Sequence, residues 1–435
     1  MEITILIIFI LGLTASVSTK IPIIYALLFG YLLFSAYALK KGYSVKGVLK
    51  MSFEGIKTTK NILITFMLIG VLTALWRAGG TIGAIISYSE KLISPKTFVI
   101  AAFLLNCLVS FLTGTAFGTA ATMGAICMTI AYAMGINPLM VGGAVLSGSY
   151  FGDRCSPVST SALLVSEITK TDIYKNIKNM MKTAAVPFLI SCIIYIVYGV
   201  LIGKGSISCV DAAALFKEEF NIGILSLLPA AVMLILSLFK VKVKITMASS
   251  ILGAILICIS REEMLFSDIL KFAVTGFKAE NAAISEMIDG GGLLSMINVA
   301  SIVCLSSCYS GIFRETGLLD GVKKLIERAG ERLPSYTVIF LTSVINSMVS
   351  CNQTLAIMLT EFMCGHIEKD KEKLAINLEN SAVVIAPLVP WSIACSVSLL
   401  SSGAPAASPI TAFFLYLLPV YSLITAKRNK KEPSV

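Results

Sequence analysis

Apolar runs follow one another along the whole chain, separated by short polar loops. They begin near Ile3, Ile21, Ile62, Phe98, Ala185, Ile222, Ile245, Leu293, Tyr336, Ser381 and Ala412. Each approaches the ~20 residues that an α-helix needs to cross a bilayer. No run shows the strict apolar/polar alternation of a half-buried strand. The pattern predicts an all-α polytopic membrane protein of about eleven to thirteen transmembrane segments, several of them broken or re-entrant. The opening stretch, ITILIIFILGLTASVSTKIPIIYALLFGYLLF, lacks a basic n-region and runs on into a second apolar stretch, so it reads as two retained helices and not as a signal peptide.

Composition agrees. Hydrophobic residues make up 56% of 435 residues and charged residues 14%, and the mean hydropathy is +0.87, which leaves too little polar surface for a water-soluble globule. The formal charge of +10 raises the question of nucleic acid, and the placement of the basic residues answers it. They occupy short loops at 40–60, 170–182, 240–244, 323–333 and 427–432, whereas 208–220 and 260–289 are acidic or balanced. That is a topology signal, with the basic set and the C-terminus in the cytoplasm. No nucleic-acid partner is implied; the lipid bilayer is the expected environment.

The other chemistry-bearing residues narrow the function classes. Most of the eleven cysteines lie inside apolar runs and read as small hydrophobes, Cys304 and Cys308 among them. His366 is the single histidine and sits in a loop-like stretch. There is no phosphate-binding glycine loop, no Ser-His-Asp set and no metal-protease helix, so neither an ATPase nor an enzyme is expected.

One stretch is too polar for its surroundings. GSYFGDRCSPVSTSA, residues 148–162, places Asp153, Arg154, Ser156, Pro157 and Ser159 within membrane-like sequence. A carboxylate at membrane depth costs about 2.5–3.5 kcal/mol on insertion scales and marks a partner, a cavity or an ion path. Proline frees a carbonyl, and unwound backbone is tolerated in lipid only where it lines a cavity or is buried in protein. The competing reading puts Asp153 and Arg154 at the aqueous end of a helix; for Arg154 itself a cytoplasm-edge anchor is expected over pairing with Asp153 or with a carboxylate substrate. A second break, GTAFGTAATMG at 114–124, supplies Gly114, Thr115, Gly118 and Thr119, suited either to cation coordination or to close helix packing.

The second half repeats the plan. INSMVSCNQTLAIML at 345–359 brings Asn352 and Gln353, and LENSAVVIAPLVPW at 378–391 brings Glu379, Pro387, Pro390 and Trp391. Placing Pro157 on Pro390 also places Ser159 on Ser392. Paired broken segments predict two inverted-topology repeats around a midplane site. The expected division is an N-terminal half over 1–202, a linking region over 203–292 and a C-terminal half over 293–435. Trp391 is either a gate or an interfacial aromatic, and Glu379 either the counterpart of Asp153 or a charge at a helix N-terminus.

At these residues the chain resembles the NhaC family of bacterial Na⁺/H⁺ antiporters, within the ion transporter superfamily. Members typically carry a stretch like GAYFGDKMSPLSDTT, matched here around Gly152, Asp153, Ser156, Pro157 and Ser159; 114–124, 290–296 and 378–391 are similar to further family segments. The resemblance implies secondary antiport of Na⁺ against H⁺ across the bacterial cytoplasmic membrane by alternating access, with no cofactor beyond these ions. Relatives exchange malate for lactate, or amino acids, which makes small organic substrates the alternative; a channel ranks lower. A homodimer is admitted. The expected ion and substrate site comprises Asp153, Ser156, Ser159, Thr115, Thr119, Asn352, Gln353 and Glu379, with Na⁺ and H⁺ competing at Asp153, where desolvation opposes the charge. Gly114, Gly118, Pro157, Pro387, Pro390 and Trp391 are the expected break and gate positions. Thr160 and Asn352 stand where the family commonly has Asp, which removes two candidate carboxylates.

Overall fold

The computed structural model describes residues 2–19, 21–57, 59–89, 94–157, 159–202, 219–239, 241–279, 289–318 and 332–429, together with residues 216, 326 and 330. The named elements are all helices, and among the described residues the one β pairing is an isolated bridge between Phe277 and Gly290. The principal helices are α1 (Glu2–Ser18), α2 (Ile23–Lys40), α3 (Val45–Lys57), α4 (Lys60–Ala78), α5 (Thr81–Ser89) and α6 (Pro95–Thr113). Next come α7 (Ala116–Thr119, continued through a π turn at Ala120–Gly124 into Ala125–Ala133), α8 (Pro138–Cys155), α9 (Thr160–Thr169) and α10 (Ile173–Ile202). The remainder are α11 (Leu228–Leu238), α12 (Val243–Ser260), α13 (Phe266–Thr275), α14 (Ile297–Thr316), α15 (Ser335–Ser350), α16 (Gln353–Cys364), α17 (Lys371–Glu379), α18 (Ile393–Ser402) and α19 (Phe413–Asn429).

Among the described residues, four helical stretches are long and apolar enough to cross a membrane unaided: Ile23–Lys40, Pro95–Thr113, Ile173–Leu201 and Leu293–Phe313. The stretch Lys371–Leu388 forms a further, broken span with α18, bent by 58°. The remaining apolar helices run 10–17 residues, short of a full crossing, as broken and re-entrant segments must be. The surface confirms the solvent. Leu189, Ile193 and Val200 on α10 are each 59% exposed, while Asn106, Asn346, Thr360 and Ser343 are buried. Apolar side chains outward and hydroxyls and amides inward is the arrangement expected in lipid.

Two hairpins turn the chain back on itself within this bundle. At the second, α15 runs to Cys351, which turns the chain at φ 54°, and α16 returns so that Glu368, just beyond it, meets Ser335 at the start of α15, Oγ donating to Oε2 at 2.7 Å. At the first, α6 ends at Gly114 in the left-handed region, φ 66°, and α7 turns back alongside, with Asn106 reaching Cys127. Pro95 at the first turn of α6 and Pro138 at that of α8 mark helix starts where a missing N–H costs nothing.

Packing crosses the sequence division expected at 202 and 293. Helices α2 and α3 lie against α14, joined by Phe9, Phe34, Tyr309 and Phe313, whose rings meet edge-on at 4.8–5.5 Å, and by Tyr309 Oη donating to Leu27 O. Meanwhile α12 and α13 pack against α4. The tightest pair is α6 with α8. A Cβ at Gly148 would stand 2.6 Å from Phe103 O, and one at Gly152 would stand 2.3 Å from Phe111 N. These glycines let the two backbones touch, which is how helices associate where no hydrophobic drive separates them from lipid.

Gly152→Ala therefore forces α8 away from α6. Overpacking costs about 1–3 kcal/mol, so the variant is expected to melt several degrees below the parent in a fluorescence-detected thermal shift in detergent. An unchanged melting temperature would show that the interface yields without cost.

Candidate ion site at the helix breaks

The site is built from backbone that has left the helix. Helix α8 stops at Ser156, whose φ and ψ of −90° and 135° are extended. Pro157 follows with no N–H to offer, and Ser159, at −71° and 139°, opens α9 by accepting at Oγ from the N–H groups of Ser161 and Ala162. The same chain geometry recurs in the second half: Val389 at −84° and 113°, then Pro390, then Ser392 at −72° and 143°, accepting at Oγ from Ala394 N. The hairpin tips recur too. Gly114 (66°, 30°) and Thr115 (−149°, 122°) match Cys351 (54°, 12°) and Asn352 (−144°, 128°). Thr115 Oγ1 accepts from Gly118 N, and Asn352 Oδ1 accepts from Leu355 N. Each helix N-terminus exposed by a break is thus capped by its own preceding residue.

Asp153 sits where the first tip and the first break meet, 4% exposed. Ser159 Oγ donates to Oδ1 at 2.9 Å and Ser161 Oγ to Oδ2 at 2.8 Å, while the Ala116 N–H that opens α7 lies beside the same carboxylate. Two helix N-termini, those of α7 and α9, therefore present donors to one buried carboxylate, in keeping with the positive end of the helix dipole. Among the described residues Asp153 makes no ion pair. Thr119 is buried and donates to Thr115 O, next to the same tip.

Arg154 does not stand at an aqueous edge as expected. It is fully buried and turned away from Asp153. Nε donates to Glu379 O at 3.2 Å and one terminal nitrogen to Met180 O at 3.2 Å; the other reaches Thr183 Oγ1 at 3.1 Å and Asn380 Oδ1. The physical reason is inventory. A guanidinium carries five donors, and carbonyls freed near the end of α17, with those of α10, can satisfy it inside the protein. Asp153 is likewise not the exposed end of a helix.

Glu379 is buried beside this clasp, and neither carboxyl oxygen has a hydrogen-bond partner. The charges that act on it are Arg154 and Asp153. It closes α17 and does not open a helix, so it is not an N-terminal helix charge.

The other expected residues form a second cluster. Gln353 Nε2 donates to Val383 O at 2.8 Å, Trp391 Nε1 to Met348 O at 2.8 Å, and Ile393 N to Cys351 O at 2.8 Å. These bonds fasten the second tip to the second break. Trp391 is 4% exposed, inside the protein and not in an interfacial belt. Pro387 is buried in a 3₁₀ turn, whereas Pro390 is exposed. Asn352 and Gln353 are not among the groups that touch Asp153. Tyr150 Oη ties the clusters together, donating to Ala394 O at 2.7 Å.

Sequence reasoning passed over Ser161, the second hydroxyl on Asp153. Its signal was position: two residues beyond the Ser159 cap, in the first turn of α9. Thr160, one residue nearer, is exposed. The family's usual Asp is thus missing from a position that does not face Asp153, and at 352 Asn performs the capping that Asp would perform.

Broken helices capped from within and enclosing buried carboxyls in an apolar bundle define a multi-pass membrane transporter. Over residues 2–166 and 148–426 the chain matches the sequence model of the Na⁺/H⁺ antiporter family, and it belongs to that family. It is 28% identical to the Na⁺/H⁺ antiporter NhaC of Bacillus subtilis, over 90% of this chain and 89% of the relative. It is 27% identical to the malate-2H⁺/Na⁺-lactate antiporter of the same organism, over 88% and 84%. The arginine/ornithine antiporter ArcD of Halobacterium salinarum is 23% identical over 88% and 83%.

Arg154→Gln removes donors from Glu379 O, Met180 O and Asn380 Oδ1. A buried polar group left unpaired costs about 1–3 kcal/mol, so this variant is expected to show markedly reduced thermal stability in detergent, only partly restored by Arg154→Lys, which lacks the planar fork. Equal stability of all three proteins would place Arg154 outside the architecture.

Proposed function

We propose that this protein exchanges Na⁺ for H⁺ across the bacterial cytoplasmic membrane by alternating access, with Asp153 as the group for which the two ions compete. One observation carries the reading: a carboxylate enclosed in the bundle accepts two hydroxyl hydrogen bonds from the first turn of α9, lies beside the Ala116 N–H that opens α7, and makes no ion pair among the described residues. The donors hold its oxygens in place, and charge neutrality is left to a mobile cation or a proton. Protonation of Asp153 discharges the site and releases Na⁺; loss of the proton restores the carboxylate to which Na⁺ returns. Oxygens of Ser156, Ser159, Thr115 and Thr119 complete the coordination of a hard cation.

Alternating access then requires the breaks to move relative to the tips. The matching backbone of the two breaks and of the two tips supports an inverted-repeat arrangement, in which one half exchanges its exposure while the other holds the site. Glu379 serves as the second exchangeable carboxyl, coupled to Asp153 through the field of Arg154. Asn352, Gln353 and Trp391 hold the second tip, with Gly114, Gly118, Pro157, Pro387 and Pro390 as hinge positions. The basic loops face the cytoplasm together with the C-terminus, and assembly as a homodimer is compatible with the lipid-facing surface.

A second reading, exchange of small organic acids or amino acids coupled to Na⁺ or H⁺, draws on the relatives named for malate, lactate, arginine and ornithine. The neutral residues at 160 and 352 do not decide for it: Thr160 is exposed, and Asn352 caps its tip.

Purified protein in proteoliposomes with an imposed pH gradient and a pH-sensitive dye tests the first reading. Addition of Na⁺ is expected to dissipate the gradient, and Asp153→Asn to abolish the response. Dissipation that persists undiminished in Asp153→Asn would remove the residue from the cycle, and no response to Na⁺, Li⁺ or K⁺ would turn the search to organic solutes. A finer distinction lies in α9. Ser161→Ala removes one hydrogen bond to a charged group, about 1.5–3 kcal/mol, and is expected to weaken apparent Na⁺ affinity by roughly tenfold or more, whereas Thr160→Ala leaves it within a factor of ~2. Equal effects of the two substitutions would contradict the geometry of the break.

A further inference from the structure

A separate cavity of about 230 Å³ lies at the C-terminal ends of α4 and α18. Its walls include Thr73, Trp76 and Arg77 from α4, Ala125 and Thr129 from α7, and Ser401 and Ser402 from α18. Among the described residues, Arg77 is the one charged side chain in the lining. It makes a single hydrogen bond among the described residues, from a terminal nitrogen to Thr73 O at 2.9 Å, and its Nε is enclosed with no acceptor. No carboxylate lies within ion-pair distance of it among the described residues. Asp289 acts on it through space, while accepting from Ala279 N instead.

A guanidinium lining a cavity, with most of its five donors uncommitted among the described residues, has hydrogen-bonding capacity to spare even with Asp289 acting on it through space. The hydroxyls around it add weak polar contacts and no opposing charge. A hydrated Na⁺ entering here meets like charge, so the cavity is not a cation vestibule. The two-oxygen edge of a carboxylate matches the guanidinium fork, which a spherical halide does not. The volume falls below the roughly 300–1,000 Å³ of ordinary ligand pockets, which limits the occupant to a few non-hydrogen atoms. The floor of the cavity is Ala125, on the same helix as Ala116 and about 13 Å along it, so an occupant there is separate from the Asp153 cluster yet in line with it.

We propose that this cavity is an anion site for a small carboxylate, held by Arg77 and distinct from the cation site at Asp153. An occupant would neutralise Arg77 beside the middle of α7 while Asp153 gains or loses its ion near the start of the same helix, which makes the anion a modulator of cation exchange.

Isothermal titration of the purified protein in detergent with acetate, lactate, malate and chloride, at fixed ionic strength, tests this by equilibrium binding without transport. Saturable binding of at least one carboxylate is expected, weakened roughly tenfold or more in Arg77→Gln and retained in Asp153→Asn. Trp76 lines the cavity, so its emission should change over the same concentration range. Absence of saturable carboxylate binding, an unchanged isotherm in Arg77→Gln, or chloride binding as tight as any carboxylate would each overturn the assignment. Should Arg77→Gln fail to fold, Arg77→Lys serves: several-fold weaker binding is expected from loss of the fork, and undiminished affinity would overturn the proposal. Loss of Na⁺/H⁺ exchange in Asp153→Asn and loss of anion binding in Arg77→Gln are independent readouts, so either inference can fail while the other stands.

Discussion

A backbone that leaves the helical conformation inside a bilayer must find partners for every N–H and C=O it releases, because lipid offers none. The molecule is organised around meeting this requirement at four places, two hairpin tips and two helix breaks. Thr115, Ser159, Asn352 and Ser392 cap the helices that restart. Prolines at 157 and 390 remove donors where no acceptor is at hand. Once the breaks are satisfied in this way, the ends of half-helices are left facing inward, and a carboxylate can be kept among them.

The same requirement explains how the halves are joined. Carbonyls freed around Glu379 and those of α10 need donors, and Arg154 supplies them. Asn380 extends the clasp, accepting from Arg154 at Oδ1, donating from Nδ2 to Ser422 and offering its carbonyl to Tyr336. The first break is thereby fastened to the start of the second, next to Asp153. Glu379, whose carboxyl oxygens have no hydrogen bond among the described residues, stands in the field of both charged neighbours.

Much of this was legible in the residues alone. Apolar runs and basic loops identify a membrane chain, and Gly, Pro and hydroxyl clusters inside those runs mark the breaks, since these residue types are costly in lipid unless the backbone uses them. Asp153 stood out for the same reason. Arg154 was open to misreading because a basic residue beside a loop-like stretch looks the same in sequence whether it snorkels to water or turns inward to carbonyls. Ser161 and Thr160 are adjacent and chemically alike; only the direction in which α9 leaves the break tells which one reaches the carboxylate.

By itself, then, the sequence determined the solvent, the helical class, the positions of the interruptions and the family's antiport signature, all of which follow from local composition and spacing. The tertiary structure decided which half-helices share a carboxylate, that α2 and α3 join α14 instead of the rest of their own half, and that Asn352 caps a tip instead of facing Asp153. Those are pairings between segments far apart in the chain. Their selection rests on close approach of backbones at glycines and on the count of donors and acceptors left over at each break, quantities that exist only once the segments have met.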